Sequence, residues 1–432
     1  MEDGIYNNPM SLKDIYKNAG VVMKPAAMKD GKLYSQQPHS GAGDFNFSRA
    51  DGVQTRINKH GLIETVADNV PRLSYDLVDG KVSDCPHLLL EPSRYNNLQR
   101  SEEFENSYWN KSLISVENNH VSPDGSASAD KVVATSSTGA HFFRRTGLNY
   151  SASKHTFSIF AKFTDDLYEQ FHFVIYDGSN HFAYFDVKNG TLGSADSGVE
   201  TSITKYPNGW YRCTATYQTN SFSGGQIKVE LGSSVSNTGD DSSGVLFWGM
   251  MWETGGYPTS YIPTSGSTET RQADICNGSG NSETFNDSEG VLFVETEQFA
   301  DGDFTSVYIS LKNSSDSGFT NALVIQHRNS GELRIYADGS SGNDIQFLLN
   351  IDLKQNLKIA VQYKQNNYKL FVNGVEYSIY GVGSSQPELS GLNTVNFNLE
   401  GITNSNWLGK VKELTVINET LTDEQLQLLT TP

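Results

Sequence analysis

The sequence predicts an all-β protein in which two antiparallel β-sandwich or jelly-roll domains stand in tandem, preceded by an extended N-terminal arm and a small β collar. Three observations lead to this prediction. The chain is rich in Gly, Ser, Thr and Asn, and it holds 21 Tyr and 22 Phe against only 12 Pro. Several runs, such as His155–Phe163, alternate apolar and polar residues with a period of two, and turn residues separate them. Long tracts of Glu, Lys, Ala and Leu that would indicate helices do not occur.

Residues 1–44 are predicted to be an extended N-terminal arm. A short helix is expected over Ser11–Asn18, where Ser11 is the candidate N-cap. Residues 25–44 are rich in turn formers and too weakly apolar to build a core, so they are either disordered or extended and held by a partner. Residues 45–98 alternate short strands with Asp-Gly and His-Gly turns. They are too few for a core of their own and are predicted to form a collar that packs onto its neighbours.

Residues 99–270 are predicted to form the first sandwich, because strand patterns follow one another there with no helical crossover between them. The segment Gly249–Thr264 is interpreted as the end of its last strand followed by an extended exit that packs back on the domain or the collar. Residues 271–287 are rich in Ser, Gly, Asn and Asp and are predicted to be a linker.

Residues 288–432 are predicted to form the second sandwich. Asn373 and Gly374 stand between two alternating strands, which is a strong signal for a tight hairpin turn. The chain closes with a short helical pattern in which Thr422 and Gln425 have the spacing of a capping box.

The charge and the ends of the chain exclude several classes of function. The net charge is −18, whereas nucleic-acid binders are usually basic, so no nucleic-acid partner is expected. The N-terminus has no basic and apolar signal pattern, which predicts synthesis in the cytoplasm, and no apolar run is long enough to predict a membrane helix. The three cysteines, Cys85, Cys213 and Cys276, are far apart and are interpreted as mostly buried thiols.

Residues 44–104 resemble a segment that is common in structural proteins of tailed bacteriophages. The matching stretches are Phe47–Ala50, Thr55–Glu64, Asn69–Tyr75, Leu88–Pro92 and Asn97–Phe104. An extra residue in the Ser-Arg-Tyr-Asn-Asn-Leu stretch departs from the usual pattern. Residues 99–270 look like a jelly roll of the carbohydrate-binding-module type, and residues 288–432 resemble a concanavalin A-like, or laminin G-like, sandwich. The last two resemblances lie at the level of the fold and imply little about a ligand.

Catalytic patterns are scarce. Glu295 and Glu297 are two residues apart on one predicted strand, as a glycosidase pair would be, but they are interpreted as the solvated face of an edge strand. His172 and His181 lack metal-ligand spacing and are interpreted as cross-strand surface residues. Neither a nucleophile elbow nor a phosphate-binding loop occurs. The chain is therefore predicted not to be an enzyme.

Two kinds of binding site are candidates. Calcium favours many oxygen ligands, and turn-forming acidic residues could supply them, so a calcium site is predicted at Asp287, Asp301 and Asp303, although no cofactor is expected to be required. Exposed aromatic rings can stack on the apolar face of a sugar. The candidates for glycan binding are the large aromatic residues that no alternating strand clearly buries, namely Trp109, Trp252, Tyr257, Tyr261 and Trp407.

The prediction that unites these features is a non-enzymatic structural protein of a bacteriophage virion, a head or tail fibre or a decoration protein. It would attach to other virion proteins through its arm and display sandwiches that adhere to host-surface or environmental glycans. A homotrimer is expected, because copies of the chain would supply the core that the collar lacks. Two alternatives remain open: a fibre-borne glycan depolymerase, which is a glycoside hydrolase, and a bacterial surface lectin.

Overall fold

The computed structural model describes residues 12–50, 52–164, 167–234, 236–299, 306–328, 330–339, 344–379 and 386–432. Two large β-sandwiches dominate it, and neighbouring strands in every sheet run antiparallel. The predicted all-β class is therefore confirmed. The division of the chain between the sandwiches differs from the prediction.

The first sandwich consists of two six-stranded sheets that enclose one apolar core. Across the first sheet the strands are Asn110–Ser112, Phe142–Tyr150, Phe222–Leu231, Gln170–Tyr176, Asn180–Asp186 and Thr191–Ala195. Across the second sheet they are Ile114–His120, Ala129–Ala134, Gly244–Thr254, Lys154–Phe163, Trp210–Gln218 and Val199–Lys205.

The strand Gly244–Thr254 changes the face that its side chains occupy at Gly249. This glycine has a φ of 64°, and the pairing with the neighbouring strand shifts register there. Phe247 and Trp252 consequently face the core of the sandwich, whereas Trp248 faces outward into a second apolar cluster. Such a bulge reverses the alternation of a strand, so both tryptophans are buried, on opposite faces of one sheet.

The second sandwich pairs an eight-stranded sheet with a five-stranded sheet. The larger sheet contains, in order, Val375–Tyr377, Lys369–Val372, Leu357–Lys364, Glu289–Glu297, Gly409–Ile417, Lys81–Leu90 and Leu73–Val78, with Ala19–Met23 also paired to Gly409–Ile417. The smaller sheet contains Asp344–Leu349, Leu333–Asp338, Ala322–Arg328, Ser306–Lys312 and Thr394–Asn396.

Small elements complete the fold. A four-stranded sheet contains Met28–Lys29, Lys32–Leu33, Phe45–Ser48 and Ile275–Asn277, and two-stranded sheets join Gln54–Ile57 to Ile63–Val66, Arg94–Asn96 to Glu269–Arg271, and Thr138–Gly139 to Asn237–Thr238. The helices are Leu12–Ile15, which continues into a 3-10 turn at Tyr16–Asn18, a 3-10 turn at Pro207–Gly209, and Asp423–Thr430.

Two local predictions are confirmed. Asn373 and Gly374 both have positive φ and join strands in a tight turn, and Thr422 and Gln425 form a complete capping box before the last helix. The predicted N-cap Ser11 lies outside the described residues. Cys213 and Cys276 are buried, whereas Cys85 is exposed. Across the ranges that the structure describes, no helix has the length and apolar character needed to cross a membrane.

The predicted arm is not a free segment from residue 12 onward. Ala19–Met23 pairs with Gly409–Ile417, and Val21 and Met23 are fully buried in the core of the second sandwich. Leu33 belongs to the same core. The segment could not build a core alone, as predicted, but the partner that holds it is the C-terminal half of its own chain.

The predicted collar is likewise divided between its neighbours instead of forming a unit. Lys81–Leu90 pairs with Gly409–Ile417, and this extends the large sheet of the second sandwich. The hairpin of Gln54–Ile57 and Ile63–Val66 contributes Ile63 to the apolar cluster on the outer face of the first sandwich. The collar therefore obtains its core from within one chain, which removes the structural reason for a trimer.

The predicted linker, residues 271–287, is an ordered part of the junction between the sandwiches. Ile275–Asn277 pairs with Phe45–Ser48, and Arg271 and Asp274 are fully buried. The prediction failed because polar residues in this segment pair with buried charges instead of facing solvent.

Five buried charged side chains form what we call the junction network: Arg49, Arg72, Glu91, Arg271 and Asp274. Arg49 Nη1 lies 2.8 Å from Asp274 Oδ1, and Arg72 donates to the other oxygen of this carboxylate. Arg49 also donates to the carbonyl oxygens of Ala67 and Val70, which lie in the predicted collar. One carboxylate thus joins two arginines from separate segments.

Glu91 is the second centre of the junction network. Its carboxylate lies 2.5 Å from Arg72 Nη1 and 3.2 Å from Arg271 Nη1, and it accepts hydrogen bonds from the backbone and side chain of Ser260. Burial alone would raise the pKa of Glu91, but the charges of Arg271 and Arg72 outweigh it and hold the pKa at about 2. Arg49, Arg72 and Glu91 all lie within residues 45–98, so the predicted collar supplies much of the interior of the junction.

Candidate glycan-binding face

The five aromatic residues predicted to bind glycans are all buried. The exposed fractions are 2% for Trp109, 5% for Trp252, 6% for Tyr257, 3% for Tyr261 and 1% for Trp407. A ring that stacks on a sugar must present one face to solvent, and none of these rings does. The structure therefore corrects this prediction: these residues pack the interior of the protein.

Specific contacts explain the burial of the two tyrosines in the extended exit. Tyr261 lies against Trp248, with ring centroids 4.4 Å apart, and donates a hydrogen bond to Glu102. Tyr257 stacks on Phe299 at 5.5 Å, which joins the exit of the first sandwich to the second sandwich. The exit segment therefore packs back on the first domain, as the sequence indicated, and also contacts the second sandwich, which the sequence did not indicate.

The tryptophans fill the two sandwich cores. Trp109 packs edge-on against Phe143, and Trp252 donates from its indole nitrogen to His155 Nδ1 at 3.0 Å. Trp407 donates to Thr296 Oγ1 at 3.1 Å. The indole nitrogens of Trp252 and Trp407 are therefore engaged inside the protein.

The predicted calcium ligands are not assembled by the described residues. Both oxygens of Asp287 accept backbone N–H groups, from Gly391 and Leu392, at 2.8 Å each. Asp301 and Asp303 lie outside the described residues. No group of three or more His, Cys, Asp or Glu side chains that could hold a metal ion occurs in the part of the chain that is described. Asp287 closes a loop here, and calcium binding stays a prediction.

Glu295 and Glu297 lie on an interior strand of the large sheet, not on an edge strand as predicted. Asn356 donates to Glu295, and Lys410 lies 2.7 Å from Glu297. Lys410 also pairs with Asp76 at 2.9 Å. Each carboxylate is thus engaged by a different neighbour.

A cavity of about 240 Å³ lies between the sandwiches, close to this charged group. Its lining includes Asp76, His87 and Lys410, together with Phe160 and Tyr206 of the first sandwich. Burial lowers the pKa of His87 to about 4, so this imidazole is neutral near neutral pH. The charges of Lys410 and Asp76 offset one another where these residues line the cavity.

The outward face of the first sheet of the first sandwich has a different character, and we call it the aromatic face. It is formed by Phe142, Arg144, His172, Phe182, Tyr184, Lys228 and Glu230. The alternate residues of these strands, among them Phe143, Phe173 and Phe185, fill the core. Phe142, Phe182 and Tyr184 are partly exposed.

Strand register arranges the aromatic face in two rows. One row places Phe142, Glu230, His172 and Tyr184 opposite one another on four neighbouring strands. The adjacent row places Arg144 beside Lys228 and continues to Phe182. The rings of Phe182 and Tyr184 are nearly parallel, with an interplanar angle of 16°, so they present neighbouring flat surfaces.

The charges on the aromatic face leave one cation without an acidic partner. Lys228 Nζ lies 2.5 Å from Glu230 and 5.1 Å from the ring centroid of Phe142. Arg144 lies over the same ring at 5.2 Å and hydrogen-bonds to Gln226 at 3.3 Å, but no acidic side chain among the described residues forms a salt bridge with it. Arg144 and Lys228 therefore make one end of the face positively charged, whereas the exposed Asp196 hydrogen-bonds to the backbone of Phe182 and brings a negative charge close to Tyr184.

His172 lies beneath Tyr184 and is fully buried, which corrects its interpretation as a surface residue. Its Nδ1 is 3.0 Å from the carbonyl oxygen of Gly232, and its Nε2 is 3.6 Å from Glu230. Burial lowers the pKa of His172, so the ring is neutral near pH 7, donates through Nδ1 and supports Tyr184 from below.

Reasoning from the sequence did not identify this face, although a signal was present. The strands Gln170–Tyr176 and Asn180–Asp186 carry aromatic residues at both even and odd positions, as in Phe182 and Phe185. One sheet face cannot bury both sets, so one set had to lie outside the core.

No protein-family model and no curated protein matches this chain. Among solved structures, the IT-sialidase CBM40 of Ruminococcus gnavus bound to α2,3-sialyllactose has a TM-score of 0.30 and 14% identity over 36% of this chain and 94% of its own. The NanB sialidase of Streptococcus pneumoniae has a TM-score of 0.29 and 17% identity over 35% of this chain and 25% of its own. A sialidase of Trypanosoma rangeli has a TM-score of 0.28 and 10% identity over 93% and 82%. At TM-scores of this size, the likeness gives no information about what this chain binds.

Proposed function

We propose that this chain is a non-enzymatic glycan-binding protein and that its first sandwich binds a saccharide on the aromatic face. The observation that carries the proposal is the pair of partly exposed, nearly parallel rings, Phe182 and Tyr184, beside polar and charged groups on the same sheet face. Flat rings can pack against the apolar face of a pyranose, while nearby polar groups bind its hydroxyls.

Arg144, which forms no salt bridge with the residues that the structure describes, favours a saccharide that carries a carboxylate or a sulfate. A guanidinium group binds such anions through two parallel hydrogen bonds, and Lys228 next to it, which is paired with Glu230, is a further hydrogen-bond donor. On an acidic protein, the positive end of the face at Arg144 and Lys228 favours the approach of an acidic ligand over a surface that would otherwise repel it. We therefore propose an acidic glycan as its ligand.

Replacing Tyr184 by alanine is expected to weaken binding to the best acidic glycan by about tenfold or more, because a ring that stacks on the sugar is removed. The glycan is first identified on an array of sialylated, uronate-containing, sulfated and neutral oligosaccharides, and its affinity is then measured by titration calorimetry. Arg144→Gln is expected to reduce the preference for acidic over neutral glycans and to weaken the dependence of affinity on salt.

Leu192→Ala is the matched control, because Leu192 is an exposed residue on the edge strand of the same sheet and lies outside the two rows. It should leave the affinity unchanged. Equal affinity of Tyr184→Ala and the parent chain, in a variant that melts normally, would reject the aromatic face as the site. Release of reducing ends from any bound glycan would reject the non-enzymatic proposal in favour of a glycoside hydrolase.

We also propose that the chain is a bacteriophage virion protein, made in the host cytoplasm and displayed as a homotrimer. Because the collar obtains its core within one chain, the reason for several copies is no longer a shared core but the joint action of weak sites. The resemblance of Phe47–Ala50, Asn69–Tyr75 and Leu88–Pro92 to bacteriophage structural proteins supports this proposal. Mass spectrometry of purified virions should detect the chain, and light scattering on the full chain should give the mass of three copies. Detection only in the soluble lysate would contradict the first expectation, and a monomer would contradict the second.

A further inference from the structure

A second polar and aromatic surface lies on the five-stranded sheet of the second sandwich. Tyr308, Gln326, Arg334 and Gln346 come from four neighbouring strands and form a ladder of hydrogen bonds. Gln326 Nε2 donates to Tyr308 Oη at 3.2 Å, Arg334 Nη1 donates to Gln326 Oε1 at 3.4 Å, and Arg334 Nε donates to Gln346 Oε1 at 3.2 Å. We call this surface the polar face.

Aromatic rings lie beside this ladder. The guanidinium group of Arg334 lies over the ring of Tyr336, 4.5 Å from its centroid, and Phe319 packs edge-on against Tyr336 at 5.0 Å. Phe319 and Tyr336 are partly exposed. The surface therefore combines flat groups with amide and guanidinium donors, as the aromatic face does.

The loop that contains Asn398, Leu399 and Ser405 covers one side of the polar face. Ser310 donates to the carbonyl oxygen of Asn398, and the backbone of Tyr308 donates to that of Ser405. Leu399 of this loop is buried against Tyr308. The other side, at Gln346 and the exposed Leu348, is open. The polar face is therefore a shallow surface depression that the loop borders on one side and the polar ladder lines at its base.

The charges of the polar face are nearly balanced. No acidic side chain among the described residues forms a salt bridge with Arg334, but Asp338 and Asp344 stand opposite one another in the row beyond Tyr336 and Gln346. Burial and the charge of Asp344 raise the pKa of Asp338. An anionic ligand that reached Arg334 would also approach these carboxylates, so the face suits a neutral ligand.

We propose that the polar face is a second saccharide site and that it takes neutral oligosaccharides. Gln326 is buried and holds the ladder in place, whereas Gln346 is partly exposed. The ladder uses only the oxygen of the Gln346 amide, so its NH2 group can donate to a sugar hydroxyl. A partner helix would need an apolar groove, which the polar ladder interrupts. This proposal does not require the aromatic face to bind a glycan, because the two faces lie on different sandwiches.

The test uses the full chain carrying Tyr184→Ala, which silences the aromatic face. A panel of neutral gluco-, xylo-, galacto- and manno-oligosaccharides is screened by saturation-transfer NMR, and the best binder is titrated by calorimetry. We expect one neutral oligosaccharide to bind with a stoichiometry near one. Adding Tyr336→Ala or Gln346→Ala should weaken it by about tenfold.

Two variants are used because Tyr336→Ala could disturb Phe319, whereas Gln346 is a partly exposed residue whose side chain hydrogen-bonds to Arg334. Val375→Ala, an exposed position on the other sheet of the same sandwich, is the control and should change nothing. This inference is overturned if the Tyr184→Ala chain binds no neutral saccharide, or if adding Gln346→Ala leaves the affinity unchanged. Neither outcome contradicts the binding of acidic glycans by the parent chain. A change of oligomeric state in Tyr336→Ala would overturn it in favour of an interface between copies.

Discussion

Replacing Asp274 by alanine is expected to lower the free energy of unfolding by about 3–5 kcal/mol, a large share of the roughly 5–15 kcal/mol that stabilises a typical protein domain. Asp274 is fully buried and binds both Arg49 and Arg72. Its removal leaves two buried guanidinium groups with an unbalanced charge, because Glu91 cannot neutralise Arg49, Arg72 and Arg271 together. The cost comes from the unbalanced charges that stay buried rather than from the hydrogen bonds that the substitution removes.

Urea denaturation followed by tryptophan fluorescence and circular dichroism measures this change through the shift of the transition midpoint. Glu200→Ala is the control, since Glu200 pairs with Lys154 at 2.7 Å but its side chain is 65% exposed, and we expect a loss of about 1 kcal/mol or less. Asp274→Asn keeps the shape of the side chain and removes the charge, so it should also destabilise strongly. If Asp274→Asn behaved like Glu200→Ala, the junction network would not stabilise the junction by charge.

A chain that begins at residue 50 is expected to lose the native second sandwich. The deletion removes five buried apolar side chains from its core, namely Val21, Met23, Leu33, Phe45 and Phe47. At about 1.5–3 kcal/mol for each buried side chain, the loss is on the order of 10 kcal/mol, which is comparable with the stability of a domain. It also removes a strand from Gly409–Ile417 and leaves an unpaired edge that favours aggregation.

The point variants Met23→Asp and Lys24→Ala separate this cause from an effect of chain length. Met23 is fully buried, and its neighbour Lys24 has a side chain that is 43% exposed and pairs with Glu413 at 3.2 Å. Met23→Asp should reproduce the deletion, with loss of amide protection in Gly409–Ile417 by hydrogen exchange, whereas Lys24→Ala should keep the protection. If the deleted chain kept native amide protection in Gly409–Ile417, the N-terminal segment would not be needed for the stability of the second sandwich.

Short-range features of this fold could be predicted from the sequence with good accuracy. The period-two runs predicted the strands, Asn373 and Gly374 predicted a hairpin turn, and Thr422 with Gln425 predicted a capped helix. Each of these features depends on contacts between residues that are close in sequence, so a short sequence pattern includes all the residues that form it.

The candidate site could not be predicted in the same way. Trp252, Tyr261 and Trp407 resemble exposed platforms in the sequence, yet partners elsewhere in the chain bury them: His155, Glu102 and Thr296. The aromatic face was overlooked because its rings stand in strands that also fill a core. Period two shows that two faces exist, but it does not show which face another layer covers.

By itself, the sequence determined that this protein is built from antiparallel strands, because alternation, turn residues and capping residues act over a few positions. That residues 12–48 complete the second sandwich, and that the predicted linker contributes to the junction network, follows only from the tertiary structure. Arg49 and Asp274 meet across 225 positions of sequence. A free edge strand can hydrogen-bond with any other edge, and a polar residue looks the same in sequence whether water or a distant arginine surrounds it. Only the packed chain distinguishes these cases.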